Sequence, residues 1–271
     1  MNTLQNLHTH TNLCDGKDSP EEMLLEAIDK GFGSIGFSGH SSMFHTITHG
    51  APKGDPREYK REVFRLREKY KDQIEVFYGL EVDMYSGVEL SGYDYLIGTV
   101  HYLRIGERYI GFDRDAATVR GIIDTYFGGD SLAFACEYYR QLALLPEYGD
   151  FDILGHFDII TKNIEKAGLF DVSSPVYKEA AFAAAEALAG KIPYFEVNTG
   201  AISRGYRTSP YPSPEILGEL RRLGFKAIIS SDCHDRRYLD CHFKETEQLL
   251  RSCGFAERYI LTGEGFVPVK I

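Results

Sequence analysis

The sequence predicts an α/β barrel, and three observations lead to this fold class. Short apolar segments of strand length alternate along the chain with longer segments of helical periodicity. Such alternation implies parallel strands joined by helical crossovers. About seven or eight strand–helix units fit within 271 residues, which favours a closed barrel over an open sheet.

The predicted strands are short and rich in apolar or β-branched residues, as buried parallel strands usually are. They fall at residues 4–10, 34–38, 75–81, 95–101, 153–157, 194–198 and 227–231, with a possible further strand at 259–261.

Local signals define the first helix. Ser19 is a favourable N-cap residue, Pro20 suits the first helical position, and Gly31 ends the helical pattern. Similar patterns predict helices at residues 56–70, 114–126, 131–145, 175–189, 214–223 and 243–253. The insertion between residues 101 and 156 is longer than one crossover requires, so we expect it to carry two helices.

The composition is that of an ordinary globular protein, with 43% hydrophobic and 26% charged residues. A formal net charge of -10 argues against nucleic acid and anionic membranes as partners. No apolar run is long enough to span a bilayer, and no signal peptide is recognisable. The five cysteines are scattered, which is typical of free thiols in a reducing cytoplasm. We therefore expect a cytoplasmic protein with a single domain over residues 1–271.

Ionisable residues occupy the C-terminal ends of the predicted strands. His8 and His10 end the first strand, and their spacing of two places both side chains on one face. Asp232 and His234 repeat this spacing after the seventh strand, and further strand ends carry His40, Glu81, His101 and His156. In a parallel barrel these ends share one face, so the side chains should converge there. Imidazole and carboxylate ligands together suit Zn, Mn or Fe.

A single histidine after a strand is more often a hydrogen-bonded core or loop residue than a metal ligand. The joint placement favours ligation, because five of the nine histidines close predicted strands and His234 belongs to the final pair. Cys233 lies between two proposed ligands but should face the other way, as a packed thiol. Cys14 is expected to be incidental to the site.

These residues form motifs that resemble the PHP (polymerase and histidinol phosphatase) superfamily, and within it the monofunctional histidinol-phosphatase branch. The motifs are Leu-His-Thr-His at 7–10, Gly-Leu-Glu-Val-Asp at 79–83, Gly-Thr-Val-His at 98–101, Leu-Gly-His-Phe-Asp at 154–158 and Ser-Asp-Cys-His at 231–234. The resemblance implies a distorted (β/α)7 barrel. It also implies a cluster of two or three divalent metal ions at the C-terminal ends of the strands.

The resemblance further implies three ligand sets, each combining imidazole with carboxylate. The first set is His8, His10, Glu81 and Asp232; Glu81 bridges to the second, with His101 and His156; the third is Asp15, His40 and His234. Asp15 departs from relatives that have a histidine at this position, and a carboxylate is an acceptable ligand there. Gly39 replaces an acidic residue that often precedes the histidine corresponding to His40.

Charge counting supports phosphate chemistry at such a centre. Three divalent cations would bring +6, against -3 from the carboxylates of Asp15, Glu81 and Asp232. The surplus would suit a phosphate dianion and a metal-bridging hydroxide, which we expect to attack phosphorus in line without a phosphoenzyme. Glu81 and Asp232 would thus belong to the catalytic centre. Asp158 or a metal-bound water would protonate the leaving group.

Phosphate also requires fixed cationic donors besides the metals. Arg204 falls where the histidinol-phosphatase branch has a phosphate-binding arginine, and Lys162 where relatives often have a second basic residue. Arg207 is a weaker alternative, and for all three the competing interpretation is a solvated surface cation.

Three further histidines have less specific assignments. His242 could contact the substrate or transfer a proton, and His45 and His49 could line the substrate entrance. Surface or structural roles remain the alternative for each of them.

The leading hypothesis is a phosphomonoesterase that hydrolyses L-histidinol phosphate in histidine biosynthesis, with a small-molecule substrate and a monomeric or small homo-oligomeric state. A second hypothesis is a PHP phosphoesterase for another phosphate ester or nucleotide. A third is a non-catalytic, metal-binding regulatory module. It is disfavoured because every proposed ligand position has a ligand-competent side chain.

Overall fold

The computed structural model describes residues 2–41 and 55–271. Seven parallel strands form the central sheet, in the order β1-β2-β3-β4-β7-β8-β9. They are β1 (Gln5–Asn6), β2 (Ser34–Phe37), β3 (Glu75–Asp83), β4 (Tyr95–Thr99), β7 (Ile153–Leu154), β8 (Tyr194–Asn198) and β9 (Lys226–Ser230). Two antiparallel hairpins accompany the sheet: β5 (Tyr102–Ile105) with β6 (Arg108–Gly111), and β10 (Glu257–Thr262) with β11 (Gly265–Lys270).

The sheet closes into a barrel at the seam between its first and last strands. Thr9 and Cys233 form an isolated parallel bridge. His10 N donates to Cys233 O at 2.8 Å, and Cys233 N donates to His8 O at 3.0 Å. The predicted (β/α)7 barrel is therefore confirmed, and it is distorted because, in the described part of the chain, few backbone bonds join the two ends of the sheet.

Helices surround the barrel, as the alternating pattern predicts. They are α1 (Pro20–Asp29), α2 (Pro56–Lys69), α3 (Ala116–Phe127), α4 (Ser131–Leu142), α5 (Ile164–Ala167), α6 (Pro175–Leu188), α7 (Gly200–Ser203), α8 (Pro214–Arg222) and α9 (Phe243–Ser252). Ser19 and Glu22 form a capping box at the start of α1. Within residues 2–41 and 55–271, no helix is long and apolar enough to cross a membrane.

A tyrosine fills the barrel interior beside Leu7 and Ile97. The Tyr95 hydroxyl donates to Leu7 O, and its ring lies against the backbones of β2 and β3. A Cβ atom at Gly79 would lie 2.2 Å from that ring, and one at Gly36 would lie 2.3 Å from its hydroxyl. Both glycines are therefore required by close approach of the backbone to Tyr95.

The β10–β11 hairpin covers the N-terminal end of the barrel. Gln5 exchanges two hydrogen bonds with the backbone of Leu261, at 2.7 and 2.8 Å, and Phe266 stacks on Tyr194 with ring centroids 4.0 Å apart. The interior is thus sealed at this end, so a ligand must approach from the C-terminal ends of the strands.

Several strand boundaries differ from the prediction. The fifth sheet strand ends at Leu154 because His156 N donates to the Glu196 side chain instead of a neighbouring strand. The β5–β6 hairpin was not predicted; it turns at Gly106, whose φ of 62° suits glycine. The insertion that contains this hairpin also carries α3 and α4, the two helices expected there.

Candidate metal centre

The first group of candidate ligands joins the two edges of the barrel seam. His10 Nε2 lies 3.2 Å and His8 Nε2 lies 3.6 Å from Asp232 Oδ1. Glu81, from β3, brings its carboxylate within 3.5 Å of His8 Nε2 and 3.6 Å of His10 Nε2. All four side chains are buried.

The local backbone aims these side chains at one point. His8 and His10 alternate with Thr9, whose hydroxyl donates away from the site to Gly36 O at 2.7 Å. Asp232 has a left-handed backbone, with φ 44°, immediately after β9. This turn explains how the residue leaves the strand and still faces the histidines across the seam, a strained conformation that is common at functional sites.

The second group comprises Glu81, His101 and His156, whose ligand atoms lie within 4.8 Å of one another. Glu81 Oε1 lies 3.0 Å from His156 Nε2 and 3.5 Å from His101 Nε2. Asp83, two residues further along β3, positions His101: its Oδ2 accepts from His101 N at 2.9 Å and lies 3.4 Å from Nδ1. Glu81 therefore faces both groups.

The third group comprises His10, Asp15, His40 and His234. Asp15 Oδ2 lies 3.4 Å from both His40 Nε2 and His234 Nε2. The Asp15 side chain is 48% exposed, whereas His10 is fully buried. This group thus lies at the mouth of the barrel, above the other two.

The buried carboxylates and the cationic groups around them shift one another's pKa values. Burial raises the pKa of Glu81, but His40, His8 and His101 outweigh it and hold that pKa well below its usual value. Burial likewise raises the pKa of Asp232, and Arg204 and the neighbouring histidines reverse the effect. Both carboxylates are therefore ionised at neutral pH, as metal ligands must be.

The histidines divide into two classes. Burial, together with His234 and His40, lowers the pKa of His10 to about 3, so this imidazole is neutral and able to bind metal. Burial also lowers the pKa of His8, but nearby carboxylates, led by Glu196, raise it well above the usual value. His40 follows the same pattern, because Glu81 and Asp15 outweigh its burial.

Unpaired polar atoms provide a test of whether metal ions fit here. His8 Nε2 and His10 Nε2 are buried and have no hydrogen-bond partner among the described residues; Glu81 Oε2, also buried, has only ion-pair contacts there, at 2.5 Å to His40 Nδ1 and 3.6 Å to His10 Nε2. Such groups carry a desolvation cost unless something else satisfies them. Divalent ions would satisfy all three, and the mixed imidazole–carboxylate donor set suits them.

Glu196, which the sequence did not single out, supports the first two groups from behind. Its Oε2 accepts from His8 Nδ1 at 2.8 Å and Ser230 Oγ at 2.6 Å. Its Oε1 accepts from His156 N at 2.7 Å and Asn198 Nδ2 at 2.9 Å. This carboxylate fixes the His8 tautomer that leaves Nε2 free to bind metal.

The predicted phosphate-binding cations lie beside this cluster. Arg204 donates to Asp232 Oδ2 at 2.9 Å and contacts His234 Nδ1 at 3.0 Å. Lys162 pairs with Asp113 at 2.7 Å, and Asp113 is itself an electrostatic neighbour of Arg204. The two cations therefore share one side of the cluster.

A second set of unpaired atoms adjoins the cations. Asp158 Oδ1, Arg207 Nε and the Tyr211 hydroxyl are buried without a hydrogen-bond partner among the described residues. Arg207 lies 3.9 Å from Asp158 and stacks on the Tyr211 ring at 4.8 Å. Burial raises the pKa of Asp158 despite Arg207. Arg207 is therefore a buried group of this region and not the solvated cation that the sequence suggested.

His242 does not join the cluster. It precedes α9 with a left-handed backbone, φ 55°, and its side chain is 46% exposed, 4.0 Å from Glu245. The neighbouring Asp240 pairs with Lys30, which follows α1, so this turn runs along the outside of the barrel. His45 and His49 lie outside the described residues.

Known proteins resemble this chain over most of its length. The PHP domain matches residues 6–200 of the chain. A probable histidinol-phosphatase of Deinococcus radiodurans is 26% identical over 268 residues, covering 94% of this chain and 95% of the relative. The histidinol-phosphatase of Bacillus subtilis is 26% identical over 251 residues, covering 84% and 92%.

A solved structure shares the fold. The histidinol phosphate phosphatase of Lactococcus lactis, complexed with zinc, L-histidinol and phosphate, superimposes with a TM-score of 0.73 at 20% identity, covering 98% of this chain and all of that one. The match to the PHP domain spans more than half of the chain, so the resemblance predicted from the motifs is confirmed: this chain belongs to the PHP domain family.

Proposed function

We propose that this protein is a metal-dependent phosphatase that hydrolyses L-histidinol phosphate to L-histidinol and phosphate. The observation that carries the proposal is three adjoining groups of imidazole and carboxylate ligands with an arginine bonded to their edge. The names of the relatives, and the ligands bound to the Lactococcus lactis protein, support this substrate.

Two or three divalent ions would be held in this centre. His8, His10, Asp232 and Glu81 would hold one; Glu81, His101 and His156 a second; Asp15, His40 and His234 a third. Bound ions would supply an activated water for attack and positive charge for the phosphate oxygens. Zinc, manganese and iron all suit these donors, and the half-exposed Asp15 makes the third position the most accessible to solvent.

Arg204 and Lys162 bind and orient the phosphate group. Arg204 is held in place by Asp232 at Nη2 and by His234 at Nη1, and its side chain, 30% exposed, still has N–H groups of the planar fork to offer an anion. Lys162 supplies a compact charge whose position is fixed by the bond to Asp113.

Asp158 is suited to hold a proton for the leaving alkoxide. Burial raises its pKa, which favours the protonated acid, and Oδ1 has no partner among the described residues. Its other oxygen accepts from Ser213 N at 3.2 Å, so the orientation of the carboxyl group is fixed. Hydrolysis of an alkyl phosphate requires such a proton donor, because an unprotonated alkoxide is a poor leaving group.

The test is phosphate release by enzyme stripped of metal and reloaded separately with zinc, manganese or iron. Substrates are L-histidinol phosphate, p-nitrophenyl phosphate and a nucleoside monophosphate, with Glu81→Gln as the control for contaminating phosphatases. We expect kcat/KM for histidinol phosphate to exceed the others by about tenfold or more and to collapse in the variant. Equal turnover of all three esters would overturn the assigned substrate.

A further inference from the structure

A cavity of about 190 Å³ lies on the outer side of β3, away from the metal ligands. Glu81 and Asp83 point toward the candidate centre, so the alternating residues Val82 and Met84 point outward, and these two line the cavity. Residues 84–94 connect β3 to β4 without a helix. The β5–β6 hairpin covers the outer face here instead, and a gap remains beneath it.

Three tyrosine rings frame this cavity. Tyr85 packs against Tyr109 and Tyr148, with ring centroids 5.0 and 5.3 Å apart. The Tyr85 hydroxyl donates to Gln141 at 2.6 Å, and Gln141 also bonds the backbone of Arg104 at 2.8 and 3.0 Å. The hydrogen bonds hold the rings and the hairpin in fixed positions, which is typical of a preformed ligand site.

Two polar groups of the cavity have unused bonding capacity. Arg104 is exposed; its Nε donates to Gly106 O at 3.4 Å and its guanidinium lies 5.9 Å from the centre of the Tyr109 ring, but among the described residues no carboxylate pairs with it. Ser86 is 1% exposed, and its hydroxyl has no hydrogen-bond partner in the described part of the chain. A buried hydroxyl without a partner is costly unless a water or a ligand satisfies it.

We propose that this cavity binds a small aromatic carboxylate. Arg104 would pair with the carboxylate, and the tyrosine rings would pack against the aromatic ring. The Ser86 hydroxyl, which is buried in the wall, would turn toward the cavity to donate a hydrogen bond. The volume is below the ~300–1,000 Å³ of sites for drug-sized ligands, which restricts the occupant to a single ring. The proposal is independent of the function assigned to the metal centre.

The test uses benzoate as the probe and the intact, metal-loaded enzyme. Binding is followed by saturation-transfer NMR with saturating inorganic phosphate present, because benzoate could otherwise bind the metal centre as an anion. Arg104→Gln is compared with Arg108→Gln, an exposed arginine of the same hairpin that does not line the cavity. Ser86→Ala provides a second variant should Arg104→Gln fail to fold.

We expect saturable benzoate binding that persists in phosphate. Arg104→Gln should weaken it by about tenfold or more and Ser86→Ala by a few-fold, with Arg108→Gln unchanged. Absence of saturable binding, displacement by phosphate, or equal affinity in the Arg108→Gln enzyme and both cavity variants would each overturn the proposal.

Discussion

Glu196→Gln is the substitution whose effect the structure defines most closely. The carboxylate is fully buried and accepts four hydrogen bonds, two at each oxygen. Glutamine has one acceptor oxygen and one donor NH2 group. In either orientation, therefore, the NH2 group must face groups that now donate to Glu196.

Both orientations damage the centre. If the NH2 group faces His8, that imidazole must accept at Nδ1, so the proton moves to Nε2 and blocks metal binding. If it faces His156 N, a main-chain donor that cannot change its role is left unpaired. An unsatisfied buried donor costs about 1–3 kcal/mol. In the first orientation His8 loses the acceptor of its Nδ1 proton, and loss of such an outer partner lowers metal affinity by about 10–100-fold, or ~1.4–2.7 kcal/mol.

The assay is a competitive titration of zinc into metal-free enzyme with a chromophoric chelator, together with the thermal unfolding midpoint. Glu245→Gln, at a 66% exposed side chain on α9, is the matched control and should change neither quantity. If Glu196→Gln bound zinc as tightly as the parent enzyme and also unfolded at the same midpoint, neither orientation would have its expected effect, and the argument that this carboxylate holds the centre in place would be refuted.

Four further predictions concern the same centre. Glu81→Gln should lower the content of two ions together, measured by elemental analysis, because this carboxylate faces both His8 and His156; loss of only one ion would contradict it. Arg204→Lys should raise KM and the inhibition constant of phosphate about tenfold or more, since lysine lacks the planar fork; unchanged constants would exclude phosphate binding. Tyr211→Phe removes a buried hydroxyl that has no partner among the described residues, so the thermal unfolding midpoint should not change. Because this hydroxyl lies in the region next to the phosphate-binding cations, kcat/KM should fall; a drop in both quantities would indicate a structural role. In metal-free enzyme the raised pKa of His8 contributes stability that is present below about pH 6.5 and is lost as pH rises through the folded value. Unfolding midpoints should therefore fall as pH rises above 6.5, and a flat profile would contradict the shift.

The barrel, and the meeting of the candidate ligands at one end of it, could be predicted because both depend on short-range patterns. Strand–helix alternation marks the elements, and residues such as Glu81 and His101 follow apolar segments directly in the sequence. These side chains could be assigned to one face of the barrel without tertiary contacts, because parallel strands have their C-terminal ends at the same edge.

Glu196 and Tyr211 could not be predicted as parts of the site, because the residues that they contact are distant in the chain. Glu196 lies inside a strand, 188 positions from His8, and nothing local distinguishes it from a solvent-facing acid. Tyr211 reaches the site through its backbone bridge to Asn198. The substrate contact of His242 stays a prediction; its side chain is 46% exposed and lies outside the three ligand groups of the described residues.

The seam of the barrel gives the centre a mechanical role. Asn6 donates to Ser231 across 225 positions at 2.7 Å, and a few backbone bonds complete the join. An ion bound by His8, His10 and Asp232 would link the segment after β1 to the segment after β9, as a cross-link closes a long loop. Removing it should make this seam the first part of the barrel to open, so that amide hydrogen exchange rises at residues 8–10 and 231–234 before it rises in β3 and β4.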